Sequence, residues 1–194
     1  MSLLSLTRPS ASAITQLVTG QSGAPLTYDC VGQTNGPFPD GWSTDDQRVV
    51  IGQGQADFDR AACLLRQWVQ FDLPWVWLLD RNAPLVAGQV VSFLSHQYGV
   101  WSVNICRIVY VVDTHSADHA AFGFAYGTVG THGVRGEERF LIEWDRTTDR
   151  VTFGIRKFSL PASWLLTVLG PITRSVQARF TRDALARFAQ AMRA

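Results

Sequence analysis

The sequence is poor in most of the features that announce a function. Lysine is nearly absent: of 17 basic residues, 16 are arginine and Lys157 is the sole lysine. With 16 acidic residues the formal net charge is +1, which argues against a global electrostatic pull toward nucleic acid or an acidic membrane. The arginine bias is better explained by coding composition than by an RNA-binding face. Cysteine is scarce as well. Cys30, Cys63 and Cys106 are odd in number and lack C-x-x-C spacing, so they give neither a zinc signature nor a disulfide framework. Cys63 in a helical pattern and Cys106 in a strand pattern read as small core residues. No apolar run is long enough to span a bilayer, and MSLLSLTRPS lacks the basic-then-apolar order of a signal peptide. A cytoplasmic protein without a membrane span is the expectation. Charged residues are only 17%, below the roughly 25% of average domains, which excludes a disordered, highly solvated chain.

Familiar catalytic motifs are missing too. There is no G-x-S-x-G elbow and no cysteine in a nucleophile context. GQGQADFD (52–59) follows a strand and opens a helix, but it lacks the third glycine of a dinucleotide fingerprint and the Gly-Lys-Ser/Thr ending of a P-loop. It reads as a turn before a helix. DTHSADH (113–119) has two histidines at H-x-x-x-H spacing, yet it falls in a short link between strands and reads as a polar turn. His96 and His132 read as surface loop or strand-end residues. Nothing implies a metal or a cofactor.

What is present is a hydrophobic content of 46%, with seven tryptophans and eleven phenylalanines, in 194 residues. That suits one globular domain with large aromatic contacts. Within it, 1–47 is a short helix and an irregular wrap, 48–160 a helix plus antiparallel sheet, and 161–194 a C-terminal helix. SASAITQLVTG predicts the first helix, ending at Gly20, and the Gly/Pro/Asn-rich stretch to residue 47 predicts the wrap. RVVIG (48–52) and WVWLL (75–79) read as short strands. Between them QADFDRAACLLRQWVQF places Phe58, Ala61, Ala62, Leu65, Trp68 and Val69 at helical spacing. From residue 85 the period changes to two, and five strand candidates follow in the spacing of an antiparallel meander. PASWLLTVLG predicts one or two helical turns. In the tail, Ile172, Val176, Phe180, Leu185, Phe188 and Met192 make an apolar stripe. The fold class is therefore α+β, a curved antiparallel sheet gripping a long C-terminal helix, with room between them for one hydrophobic ligand.

Face by face, pairing Phe122 with Trp144, Phe124 with Ile142 and Tyr126 with Phe140 gathers the large apolar groups of this hairpin on one face. The same face aligns Tyr126, Glu138 and Lys157 at its open end. In WSVNICRIVYVV an unbroken period of two puts Arg107 with Trp101, Val103, Ile105, Val109 and Val111. An inward Arg107 needs a partner, and Glu138 is the candidate. The pair reads as a structural bridge, as the polar end of a ligand cavity, or as an acid/base site at Glu138. A protein-interaction domain using exposed aromatics such as Trp42 or Trp164 is a reading from another class.

The blocks SLTRP, RVVIGQGQADFDRA, WSVNICRIVYVVD, FGFAYGTVGTHGVRGEERFLIEWD, IRKFSLPASWL and RSVQARFTRDAL resemble the uncharacterised DUF1990 (UPF0548) family over nearly the whole chain. Asn104, Arg107, Phe122, Gly123, Tyr126, Gly127, Gly136, Glu137, Glu138 and Arg139 stand at the family's motif positions. The resemblance implies a START/Bet v 1-like helix-grip fold, a superfamily whose members commonly hold lipids, sterols or aromatic molecules and sometimes catalyse reactions on them. The expected site is Asn104, Arg107, Tyr126, Glu138 and Lys157, and the expected partner is a small hydrophobic ligand rather than nucleic acid.

Overall fold

A computed structural model describes residues 4–162 and 170–193, with side chains of the last helix described from residue 174 onward. The first elements are β1 (Leu4–Ser5), α1 (Ala11–Gln21), β2 (Ser43–Gln53), α2 (Gly54–Arg66) and β3 (Val76–Leu78). The meander follows as β4 (Val90–Gln97), β5 (Val100–His115), β6 (His119–Thr128), β7 (Val134–Asp145) and β8 (Arg150–Pro161), and α3 (Gly170–Ala191) ends the chain. All five meander strands lie where alternation places them. β2 starts at Ser43, five residues before the expected RVVIG, because Ser43–Asp46 continue the pairing with β8. The turns expected in PASWLLTVLG lie outside the described residues, apart from its first residues.

The sheet runs in the order β2-β8-β7-β6-β5-β4-β3, with β1 added to β5 opposite Trp101 and Ser102. Every pairing is antiparallel, as hairpin-connected strands require. One face of this sheet, the inner face, holds α2 and α3. This is the helix-grip arrangement.

Aromatic side chains knit the inner core. Phe71, in the 3-10 turn after α2, packs within 5.1 Å of Phe93, 5.4 Å of Phe180 and 6.0 Å of Phe140. Trp68 meets Phe124 at 5.0 Å, and Phe188 of α3 stacks on Phe153 at 4.1 Å. A fully buried ring contributes about 1.5–3 kcal/mol by area alone, so Phe188, with the nearly buried Phe180, holds α3 to the sheet.

The outer face is covered as well. α1 begins at Ser10, whose Oγ accepts the Ala13 N–H at 3.3 Å. It lays Ile14, Leu17 and Val18 on Leu94, Val103 and Ile105. β5 can be apolar on both sides because helices and loops cover both. Cys106 is buried as its strand pattern suggests, whereas Cys63 is exposed on α2.

Two registers differ from expectation. Phe122 faces Ile142, Phe124 faces Phe140 and Tyr126 faces Glu138, a slip of two residues from the expected pairing. A slip of two leaves every side chain on its own face, so apolar alternation cannot detect it; the loop at 129–133 sets it. In β5, pairing with β6 jumps between Ile108 and Tyr110. This bulge reverses the alternation. Val111 packs against the inner core as expected, but Val103 and Ile105 belong to the outer cluster.

Candidate functional site

Among the described residues, the inner face is only partly filled. Beyond Phe180 and Phe93, toward the free ends of β5, β6 and β7, a cavity of about 570 Å³ opens between the sheet and α3. Asn104, Cys106, Tyr126, Glu138 and Lys157 line it from the sheet, and Val176 and Gln177 from the helix.

Tyr126, Glu138 and Lys157 form one row across β6, β7 and β8, each opposite the next. The Tyr126 hydroxyl donates to Glu138 Oε2 at 2.7 Å, and Lys157 Nζ stands 3.6 Å from Glu138 Oε1. Burial, followed by the Glu138 charge, pushes the Tyr126 phenol well above its ordinary pKa, so it stays a protonated donor. Lys157 is a junction. Its ammonium donates to the Gln177 carbonyl at 2.9 Å and to Thr181 Oγ1, and it lies 3.7 Å from Asp45 Oδ2. One cation thus sits between two carboxylates and ties β8 to both α3 and β2.

Asn104 makes its contacts through the amide nitrogen, with Ser102 Oγ at 3.0 Å and the Phe93 carbonyl at 3.4 Å. Ser95 and Ser102 complete this polar strip, 2.7 Å apart through their hydroxyls. The strip is on the inner face because even-numbered residues before the bulge point inward.

Arg107 is a correction. It does not pair with Glu138 and is not among the cavity residues. Before the bulge its parity is that of Val103 and Ile105, so it faces outward, where Nη2 donates to the Ser22 and Ala24 carbonyls at 2.7 and 2.8 Å. There it pins the chain leaving α1.

Three buried polar residues lie outside the expected site set. Glu137, only 2% exposed, points to the outer face and anchors the wrap. It accepts from Tyr28 Oη at 2.8 Å, Gly32 N at 2.7 Å, Thr34 N at 3.0 Å and Thr34 Oγ1. Tyr28 can cross this face because Gly127 has no side chain; a Cβ there would stand 2.1 Å from the Tyr28 hydroxyl. Burial, then the Glu137 charge, holds the Tyr28 phenol far above its ordinary pKa. The other two are cavity residues. His132, expected at the surface, has Nδ1 accepting the Val134 N–H at 3.2 Å and Nε2 shielded from solvent without a partner among the described residues. Burial pushes its imidazole down to about 4. Gln97 is 8% exposed; its oxygen faces Arg179 Nη1 at 3.5 Å and its buried amide nitrogen has no partner among the described residues. Only the position of Gln97 beside the β4–β5 turn hinted at a role. Gly136 lies inside β7 against the Phe158 carbonyl.

Other candidates are resolved by position. DTHSADH forms the β5–β6 turn, with His115 3.2 Å from Asp113 and His119 3.6 Å from Glu143. At the start of α2, Asp57 accepts the Gln53 N–H at 2.8 Å, which answers the helix dipole internally. Trp42 is half-buried, edge-on to Phe158 at 5.1 Å and under the Arg135 guanidinium. Trp164 lies outside the described residues. Among the described residues no helix is long and apolar enough to cross a membrane.

A family model described as a domain of unknown function, DUF1990, matches residues 27–187. The chain is 37% identical over 150 residues to a UPF0548 protein of Dictyostelium discoideum, covering 74% of this chain and 69% of that protein. It is 32% identical over 161 residues to a UPF0548 protein of Deinococcus radiodurans, covering 76% and 77% of the two chains. Among solved structures, a hypothetical protein of Helicobacter pylori superposes with a TM-score of 0.50 at 11% identity, over 87% of this chain and 99% of that one. At that identity the likeness concerns the fold alone.

Proposed function

Because the chain belongs to the DUF1990 (UPF0548) family, whose description assigns no activity, we propose a function from the cavity: the protein binds one small apolar or amphipathic molecule between its sheet and α3. The observation that carries this reading is the unequal filling of the inner face. Phe71, Phe180 and Phe188 pack one part solidly, while the part lined by Asn104, Tyr126 and Glu138 keeps about 570 Å³, inside the range of roughly 300–1,000 Å³ usual for ligand pockets. Apolar walls supply the affinity and the polar row fixes the ligand's orientation. Native mass spectrometry of the protein purified from its host tests this. An adduct of a few hundred daltons, lost in a Ser102→Trp variant that fills the cavity, is expected. An adduct equally present in that variant overturns the assignment to this cavity.

A second reading, acid/base catalysis at Glu138, is favoured by one observation: the carboxylate lines the cavity with a protonated phenol on one oxygen. Hydrolysis of p-nitrophenyl butyrate that disappears in Glu138→Gln, with dye binding retained, supports it. Hydrolysis that survives the substitution rejects it.

A further inference from the structure

On the sheet wall of the cavity the nitrogen and oxygen donors are nearly all taken up by the protein itself. Tyr126 gives its hydroxyl hydrogen to Glu138 Oε2 at 2.7 Å. Lys157 donates to the Gln177 carbonyl and to Thr181 Oγ1, and Glu138 and Asp45 stand 3.6 and 3.7 Å from its ammonium. Asn104 directs its amide hydrogens to Ser102 Oγ and the Phe93 carbonyl. One hydrogen of the Ser95–Ser102 hydroxyl pair is the exception. The unpaired nitrogens of Gln97 and His132 are sealed from the cavity and offer it nothing.

The acceptors of the same wall are still open. A carboxylate accepts at about four lone-pair positions, yet among the described residues the Glu138 carboxylate takes a single hydrogen bond, from Tyr126. Its side chain lines the cavity and keeps 13% exposure, so the remaining positions can be reached. Asn104 adds a second acceptor. The Phe93 carbonyl can only accept, so the Asn104 nitrogen is turned to it and Oδ1 points the other way. That oxygen has no partner among the described residues and is not shielded from solvent.

We infer that the cavity takes a ligand with an uncharged hydroxyl as its polar group, and that the Glu138 carboxylate accepts that hydroxyl's hydrogen. This rests on the ligand-binding reading above and names the chemical class of the ligand. An ether or a hydrocarbon would cover open carboxylate positions without answering them, at the cost that buried unpaired groups carry. An anionic ligand would bring a third negative charge to two carboxylates and one ammonium, and an ammonium would crowd Lys157 on the same carboxylate.

Four octyl compounds that displace N-phenyl-1-naphthylamine separate the possibilities: 1-octanol, 1-methoxyoctane, octanoate and octylammonium. They are titrated against the wild-type chain, Glu138→Leu and Glu138→Gln, each checked for an intact thermal transition. A hydrogen bond to a charged group corresponds to roughly tenfold to a hundredfold in affinity, and the extra methyl of the ether offsets about fourfold of that. The expected result is wild-type binding of octanol about three- to thirtyfold tighter than its methyl ether. Both charged compounds bind more weakly than octanol. Glu138→Leu frees the Tyr126 hydroxyl as a donor, which suits either oxygen, so the more hydrophobic ether becomes the tighter ligand. Glu138→Gln keeps the shape and reads the same loss of preference if the leucine variant does not fold. Equal wild-type affinities for alcohol and ether, or a preference unchanged by both substitutions, overturn the hydroxyl assignment. Tighter binding of either ion than of octanol overturns the uncharged one. Absence of saturable N-phenyl-1-naphthylamine binding to the wild-type protein overturns the cavity reading itself.

Discussion

Glu137→Gln removes one charge and one acceptor oxygen without changing shape, and the cost follows from the contacts. The carboxylate accepts four hydrogen bonds, two on each oxygen: Tyr28 Oη and Gly32 N on Oε2, and Thr34 N and Oγ1 on Oε1. Whichever oxygen becomes the NH2 group, two donors lose their acceptor. The Tyr28 or Thr34 hydroxyl can rotate to accept instead, but the backbone N–H of Gly32 or Thr34 is left buried and unpaired. One lost bond with its orphaned N–H, and the missing charge on the remaining pair, come to about 3–4 kcal/mol. Urea unfolding followed by tryptophan fluorescence reads this directly. With a slope near 2 kcal/mol per molar, the midpoint falls by about 1.5–2 M. The neighbouring Glu138→Gln costs only about 1 kcal/mol, since Lys157 keeps Gln177, Thr181 and Asp45. A loss below about 1 kcal/mol for Glu137→Gln, or equal losses at the two positions, refutes the view that Glu137 anchors the wrap.

Three other substitutions or conditions bear on the same framework. Lys157→Met leaves Glu138 and Asp45 without their shared cation and removes one donor from the Gln177 carbonyl, so it destabilises by about 3 kcal/mol in urea unfolding; an unchanged midpoint contradicts the junction role. Gly127→Ala pushes a methyl into the Tyr28 ring, costing about 1–3 kcal/mol and speeding limited proteolysis of residues 22–42; unchanged cleavage contradicts it. His132 has a folded pKa of about 4 against about 6.5 unfolded, so the unfolded chain binds more protons between those values. Its contribution is full above pH 6.5 and is lost as pH falls toward 4, by at most about 3 kcal/mol and less because the ring is partly exposed. His132→Gln flattens that part of the stability curve, and a wild-type slope left unchanged in the variant rules the assignment out.

The order of elements was legible because each strand carries its own period-two pattern and α2 its own helical stripe. The row Tyr126, Glu138 and Lys157 was legible for the same reason: parity along β6, β7 and β8 is uninterrupted, and a slip of two residues preserves it. Parity failed in β5. The run Ile108-Val109-Tyr110-Val111-Val112 is apolar on both parities, so nothing in it marks where the bulge falls, and Arg107 was carried to the wrong face. That run without a polar break was the one available warning. Glu137 was overlooked because its partners are backbone N–H groups of Gly32 and Thr34, whose donor role is the same in any sequence. The burial of Gln97 and His132 was not legible either, because it arises from how the β4–β5 turn and the loop at 129–133 pack.

The central claim is that the unfilled end of the inner face holds a ligand. Its most direct measurement is the stoichiometry of N-phenyl-1-naphthylamine binding to the wild-type chain and to Ser102→Trp, whose indole occupies the cavity from an inward-facing position of β5. One saturable site per wild-type chain, with affinity at least tenfold weaker in the folded variant, is the predicted result. Identical binding by the two proteins contradicts it.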